Sequence, residues 1–231
     1  MLKTVKNTTF PGLLDLLAPH SCRGCGRTGS VLCERCKNYI ISQQSNFCPN
    51  CKQHTKHGKC KNCQNLPPTY IGGERTGLLD DLIHHFKYNS ARALAHPLAE
   101  IMHHSLPTIK GDVVIIPLPT ASKHIRERAL DHTYLIAKHL AKLSGANYKV
   151  QKLLTRTNST VQVGADHATR LSQAASAYQL AQHAKINPHT TYILFDDVWT
   201  TGASMQAAIK KLSSAGAKHI IVAILAVSRL D

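Results

Sequence analysis

The chain has 231 residues, of which 43% are hydrophobic and only 5% are aromatic. This length allows one ordinary domain and a small additional module, with a core built mainly from aliphatic side chains. No apolar run reaches the roughly 18 residues that a membrane-spanning helix needs, so we expect no membrane span. The formal charge of +15 favours a phosphate-rich partner, although solubility alone explains a basic surface equally well.

The first candidate element is a short apolar stretch at residues 10–18. Pro11 and Asp15 interrupt it, and no small-residue cleavage site follows. We interpret it as a short helix rather than as a signal peptide. A cytoplasmic location is the corresponding expectation.

All eight cysteines lie before residue 64 and form four CxxC pairs. Two thiolates from one tight turn can face the same ion, and two such turns complete the tetrahedral four-sulfur site that suits Zn2+. We expect two structural zinc ions, because four thiolates leave no open position for water. The predicted ligands are Cys22, Cys25, Cys33, Cys36, Cys48, Cys51, Cys60 and Cys63.

The sequence leaves the pairing of these cysteines open. Short separations favour two consecutive ribbons at residues 22–36 and 48–63, but an interleaved arrangement is also geometrically allowed. Disulfides would need an oxidising compartment, which the absence of a signal peptide disfavours, and a redox or iron–sulfur role is a further alternative. A loop-rich segment of about 65 residues builds little core, so we expect metal binding and folding to be coupled.

The basic residues of this cysteine-rich segment could contact phosphate groups. Ten Lys and Arg residues against two Asp and Glu precede residue 66, and eight thiolates with two Zn2+ would leave a net charge of about +4. Lys52, Lys56, Lys59 and Lys61 cluster on the second ribbon. They form a plausible phosphate-contacting patch, and a solvated loop would look the same.

Paired prolines at residues 67 and 68 predict a boundary between a module at residues 1–66, comprising an N-terminal helix and a double zinc ribbon, and a domain at residues 67–231. Apolar periodicity in the second segment alternates between helical and strand types. This alternation predicts an α/β fold with a parallel sheet flanked by helices. The predicted helices are residues 78–87, 91–106, 131–143 and 204–215, and the predicted strands are residues 112–116, 191–195 and 219–227.

The segment after the strand at 191–195 carries the clearest chemical signal. Asp196 and Asp197 follow the strand, where carboxylates can accept hydrogen bonds from vicinal sugar hydroxyls. A loop then opens a helix, whose amide groups and dipole suit a phosphate dianion. The predicted phosphate-binding residues are Thr200, Thr201, Gly202, Ala203 and Ser204. The alternative is a plain strand-turn-helix in which Ser204 only caps the helix.

The stretch ILFDDVWTTGAS at residues 193–204 resembles the phosphoribosyl pyrophosphate (PRPP) motif of the type I phosphoribosyltransferases. From Leu13 onward the chain resembles the ComF family of competence proteins, in which a cysteine-rich zinc module precedes a phosphoribosyltransferase domain. The resemblance implies binding of PRPP or ribose 5-phosphate, with Asp196 and Asp197 holding the ribose hydroxyls directly or through Mg2+.

Further segments carry the same resemblance. Residues 86–88 are similar to a Lys-Tyr segment of the family, and Pro117-Leu118-Pro119 is similar to its pyrophosphate-binding loop. The resemblance assigns Lys123, Arg126 and Arg128 to the pyrophosphate side. Residues 156–162 with Arg170 resemble a basic loop near the ligand. The family usually has Arg-Gly-Phe-Asn-Gln where this chain has Arg-Ala-Leu-Asp-His at residues 128–132.

Two functions follow as hypotheses. The chain is either a phosphoribosyl-binding protein of DNA uptake and transformation, with single-stranded DNA or a helicase-type protein as partner, or a Mg2+-dependent phosphoribosyltransferase with an unknown acceptor. Thr200 stands where 6-oxopurine salvage enzymes carry an aspartate base, which argues against that substrate class. A scarcity of aromatic residues weakens a dedicated single-strand stacking surface.

Overall fold

The computed structural model describes residues 20–89, 91–120, 131–156 and 178–228. The predicted helix at residues 10–18 lies outside these ranges. Within the described residues the helices are α1 (Glu34–Ser42), α2 (Gly77–Tyr88), α3 (Ala95–Ser105), α4 (His132–Ser144) and α5 (Ala203–Ser214), with a 3-10 turn at Arg92–Leu94. The strands are β1 (Thr69–Ile71), β2 (Val113–Pro117), β3 (Tyr148–Val150), β4 (Leu154–Arg156), β5 (Tyr178–Leu180), β6 (Thr191–Trp199) and β7 (His219–Val227).

Five of these strands form one parallel sheet in the order β1-β7-β6-β2-β3. β6 and β7 lie near its centre, and their β-branched and aliphatic residues are buried because helices cover both faces. β4 and β5 pair separately as an antiparallel hairpin. The predicted α/β class with a parallel sheet flanked by helices is confirmed.

Alternation along β6 divides the core into two layers. Ile193 and Phe195 pack among the side chains of α2, α3 and α4. Tyr192 and Leu194 face the opposite side, where α5 and the β4–β5 hairpin lie. This alternation follows from strand geometry, which sends successive side chains to opposite faces.

The first cysteine ribbon is continuous with the main core. Its residues Cys22, Cys36 and Ile40 are buried in the same cluster as the helices of the first layer. The buried Lys37 ammonium lies 2.7 Å from Glu34 Oε1 and 2.8 Å from Glu100 Oε2 on α3. The amino-acid composition therefore changes near residue 67, but the first cysteine ribbon still packs against the helices that follow this predicted boundary.

β6 is longer than predicted. The predicted strand ended at residue 195, with a loop at 198–202, but the structure continues the strand to Trp199. β7 stabilises the extension, because Asp196, Val198 and Trp199 are all in register with residues of that strand. The two aspartates thus belong to the strand itself, and pairing overrides the polar composition that suggested its end.

Other predicted elements agree with the structure within one or two residues. The strand at 219–227 has the predicted bounds, whereas the helix predicted at 91–106 is divided into a 3-10 turn and α3. The short elements α1, β1, β3, β4 and β5 were not predicted. In the parts of the chain that the structure covers, no helix is both long and apolar enough to cross a membrane.

Candidate functional site

The eight cysteines form two separate groups in chain order. One contains Cys22, Cys25, Cys33 and Cys36, and the other contains Cys48, Cys51, Cys60 and Cys63; within each group the sulfur atoms lie within 4.8 Å of one another. The structure thus has the consecutive arrangement, not the interleaved one. All eight are free thiols, so the disulfide alternative is not realised.

The sulfur spacing fits a tetrahedral zinc site. The Sγ atoms of Cys25 and Cys33 are 3.7 Å apart, and those of Cys51 and Cys60 are 3.5 Å apart. A Zn–S distance of about 2.3 Å in a tetrahedron corresponds to sulfur atoms about 3.8 Å apart. Each group could therefore hold one Zn2+ with little rearrangement.

The thiols also favour a cation on electrostatic grounds. Desolvation, together with hydrogen bonds from neighbouring cysteines, raises the pKa of Cys36 to about 12, whereas at Cys22 desolvation is outweighed by backbone hydrogen bonds, which lower its pKa to about 6. Four thiolates this close repel one another, so they ionise together only around a positive ion. The chemistry of the donor set thus fits a structural zinc, and no open coordination position remains for catalysis.

A second candidate site is a pocket of about 230 Å³ at the carboxyl edge of the parallel sheet. It lies where ligands bind in open α/β sheets, beyond the ends of the strands. The end of α2, the ends of β2 and β6, the start of α4 and α5, and the β4–β5 hairpin all contribute. Its lining residues are Lys87, Leu118, Pro119, Thr120, Thr133, Arg156, Tyr178, Asp196, Asp197 and Ser204.

Asp197 is held by an ion pair from the helical layer. Its Oδ2 atom lies 2.8 Å from Lys87 Nζ, and both side chains are largely buried. Lys87 stands in the last turn of α2, where the helix dipole favours a positive charge. The ion-pair partner of Asp197 is thus a lysine from the Lys-Tyr segment, for which the sequence predicted no role.

Asp196 has a different environment. Its Oδ1 atom accepts a hydrogen bond of 2.9 Å from the Asp197 amide. Burial, followed by the negative charge of Asp197, raises the pKa of Asp196 to about 8. The two carboxyl groups therefore have unequal environments, since Asp197 contacts a lysine whereas Asp196 contacts only a backbone amide.

The predicted phosphate-binding loop is compact. Gly202 adopts φ +75° and is the N-cap of α5. A Cβ atom at this position would overlap the buried indole of Trp199. Thr201 Oγ1 accepts a long hydrogen bond of 3.5 Å from the Ala203 amide. The glycine is required here by its backbone conformation and by the indole behind it.

The structure brings some of the predicted site residues into the pocket. Asp196, Asp197 and Ser204 line it, whereas Thr200 and Thr201 are exposed and do not line it; Gly202 caps α5 and Ala203 begins it. The pyrophosphate-side candidates Lys123, Arg126 and Arg128 lie outside the described residues. The ligand role of all these residues stays a prediction.

Besides Lys87, four pocket residues had no role predicted from the sequence. Thr120, Thr133 and Tyr178 carried no sequence signal, and Arg156 was noted only as the start of a basic loop. The Tyr178 phenol lies within hydrogen-bonding reach of Ser204, and the Arg156 guanidinium lies 5.9 Å from the Tyr178 ring centroid. The hairpin thus adds a cation and a phenol opposite Asp196.

Comparison with known proteins agrees with this architecture. No family model matches the chain. The chain is 24% identical over 226 residues to the competence protein ComFC of Streptococcus pneumoniae, a match that covers 95% of this chain and 93% of the relative. Together with the two four-cysteine groups, this similarity supports the resemblance to the ComF family.

Zinc content tests the cysteine grouping. We expect two zinc ions per chain in the wild type and one in the double variant Cys51→Ser/Cys60→Ser, because both substitutions fall in the second group. Mass spectrometry of the metal in purified protein measures this directly. Any interleaved pairing would separate Cys51 from Cys60, and the double variant would then lose both ions.

Because Trp199 lies close to Gly202, we predict that two glycine-to-alanine substitutions will lower the free energy of unfolding by unequal amounts. Gly216 also has a positive φ, but nothing lies within 4 Å of a Cβ atom there. Gly216→Ala should cost about 1 kcal/mol of unfolding free energy from backbone strain. Gly202→Ala should cost about 2 kcal/mol more, since it also overpacks the indole. Urea denaturation compares them, and equal losses would contradict the packing role of Trp199.

Proposed function

We propose that this ComF-family chain binds the phosphoribosyl part of PRPP or ribose 5-phosphate in the pocket at the carboxyl edge of its sheet. The observation that carries the proposal is the convergence of three features on one cavity: the aspartate pair, the start of α5, and the loop after β2. The aspartate pair suits sugar hydroxyls, and the start of α5 suits a phosphate. The loop after β2 extends the pocket beyond the position of the sugar.

The polar groups match the two ends of such a ligand. Asp196 and Asp197 offer carboxyl oxygens to vicinal hydroxyls, and Lys87 forms an ion pair with Asp197. Ser204, in the first turn of α5, lies where amide groups and the helix dipole favour a phosphate dianion. Arg156 supplies a further positive charge from the hairpin.

Mg2+ would enter with PRPP rather than as a resident ion. Asp196 and Asp197 are the residues that would contact it, and carboxylate oxygens are suitable ligands. When bound, the ion would neutralise charge on the pyrophosphate. The fit is partial in the free chain, because one oxygen of Asp197 is engaged by Lys87 and one oxygen of Asp196 by a backbone amide.

We further propose a role in DNA uptake and natural transformation, with single-stranded DNA or a helicase-type protein as partner. The similar protein from Streptococcus pneumoniae is named a competence protein. Lys52, Lys56, Lys59 and Lys61 are all exposed on the second ribbon, where they could contact phosphates. These lysines lie outside the set of residues that lines the pocket.

A second candidate is a Mg2+-dependent phosphoribosyltransferase. The observation that favours it is the extension of the pocket to Leu118, Pro119 and Thr120, the loop similar to a pyrophosphate-binding loop. Transfer would break the bond from C1 to the pyrophosphate oxygen and form one from C1 to an acceptor atom. Pyrophosphate release from PRPP in a mixture of bases, lost in Asp197→Ala, would favour this enzyme over a binding protein.

Asp196→Ala tests ligand binding at the cost of one local hydrogen bond, from the Asp197 amide to Asp196 Oδ1. Relief of desolvation and of the repulsion from Asp197 offsets the loss of that bond, so the free energy of unfolding should change little. The affinity for ribose 5-phosphate should fall by about tenfold or more, as expected for a lost hydrogen bond to a polar hydroxyl. Isothermal titration calorimetry measures the dissociation constants.

Asp112→Ala is the matched control for this experiment. Asp112 is exposed at the amino end of β2, opposite the pocket edge, so its removal should leave the affinity unchanged. Unaltered binding in Asp196→Ala, or an equal loss in both variants, would contradict the proposed site.

Salt dependence tests the nucleic-acid proposal. Replacing Lys56 and Lys59 by Gln should weaken single-stranded DNA binding and lower the slope of log affinity against log salt by about 1 to 2, because each phosphate contact releases a counterion. Fluorescence anisotropy with a labelled oligonucleotide gives the slope. If neither salt nor these substitutions changed the affinity for single-stranded DNA, the second ribbon would be rejected as the contact surface.

A further inference from the structure

The ion pair between Lys87 and Asp197 is largely buried at the wall of the pocket. The side chains are only 17% and 12% exposed, and Lys87 Nζ lies 2.8 Å from Asp197 Oδ2. Lys152 and Asp131 form a second lysine–aspartate pair at 2.7 Å, but there the lysine is 55% exposed. Water screens the second pair far more than the first.

The ammonium of Lys87 is anchored by its helix. Phe86, the preceding residue, is almost fully buried in the core of the first layer, which fixes the end of α2 beside β6. The helix dipole adds a favourable potential for a cation at this end. Moving Lys87 away would leave a buried carboxylate without its partner, which is costly.

This arrangement is unfavourable for a resident divalent cation. A metal ion on the aspartate pair would lie next to a fixed ammonium, in a pocket where charges are weakly screened. The same carboxylate would have to give up Lys87 or share its oxygens with two cations. Mg2+ in particular demands near-ideal octahedral geometry and loses its water reluctantly.

We infer that Lys87 acts as a built-in counterion that excludes divalent metal from the aspartate pair in the free chain. Lys87 is a positioning residue, since it acts through Asp197. The consequence for the ligand rests on the proposed function: ribose 5-phosphate binds without metal, because Lys87 already supplies the positive charge, and Mg2+ enters only on a pyrophosphate group. The exclusion of metal itself is a property of the protein alone.

Binding of Mn2+ to the zinc-loaded full-length chain tests the exclusion by electron paramagnetic resonance. The wild type should show only weak association, whereas Lys87→Gln should bind one Mn2+ about tenfold more tightly or better, since an amide leaves the carboxylate charge unopposed. Lys152→Gln, in the exposed pair, is the matched control and should behave as the wild type. The double variant Lys87→Gln/Asp197→Asn should lose the new site.

Equal Mn2+ binding by the wild type and Lys87→Gln would overturn the inference, and so would a gain of the same size in Lys152→Gln. If Lys87→Gln fails to fold, the wild type is compared with Lys87→Met/Asp197→Leu, which lacks the carboxylate, and tighter Mn2+ binding by the wild type than by this variant overturns the inference. A dependence of ribose 5-phosphate affinity on Mg2+ in the wild type would overturn the stated consequence for the ligand. Absence of ribose 5-phosphate and PRPP binding would instead reject the proposed function and leave the Mn2+ result standing.

Discussion

The pairing of β6 with β7 is the constraint on which the candidate pocket depends. β6 runs between β2 and β7, and its register with β7 continues beyond Phe195 to Trp199. Two aspartates are thereby carried into a strand, although strands disfavour them. Because successive strand residues face opposite sides, Asp197 turns toward α2 and Asp196 toward the β4–β5 hairpin.

Because their side chains face opposite sides of the sheet, two neighbouring aspartates can both be shielded from solvent. Asp197 contacts a lysine, whereas burial and the charge of Asp197 raise the pKa of Asp196. Unequal environments for paired carboxyl groups are a common way to separate their roles. Here the unequal environments come from the two layers of the fold, since each face of the sheet supplies different neighbours.

The parallel sheet and the cysteine ligands were predictable because local patterns encode them. Buried parallel strands appear as apolar runs, and CxxC pairs specify thiolate turns. The partner of Asp197 was not predictable, since Lys87 reaches it only through the docking of α2 on the sheet. The contribution of Tyr178 was missed for the same reason: β5 is three residues long and its pairing with β4 is non-local.

Two departures from the pattern of the ComF family, which the chain resembles, have local structural explanations. Asp131 stands where the family usually has Asn, and it caps α4 by accepting a hydrogen bond of 3.2 Å from the Tyr134 amide. Both residue types are good N-caps, so the substitution preserves the helix start. The carboxylate adds an ion pair with Lys152 that an amide could not form. His132, in place of Gln, packs edge-on against the Phe86 ring at 4.7 Å.

The pocket and the second ribbon differ in their local charge, although the net charge of +15 does not show this. Within the described pocket, Lys87 and Arg156 stand beside two carboxyl groups, and the pKa of Asp196 is raised, so the site is neutral to weakly positive before a ligand arrives. The exposed lysines of the second ribbon have no comparable acidic neighbours in their sequence segment. Under the proposed function, a polyanion would be attracted to the ribbon by charge, while a small phosphorylated sugar would be selected by geometry in the pocket. A chain that handles both would use the two modules for different parts of the same task.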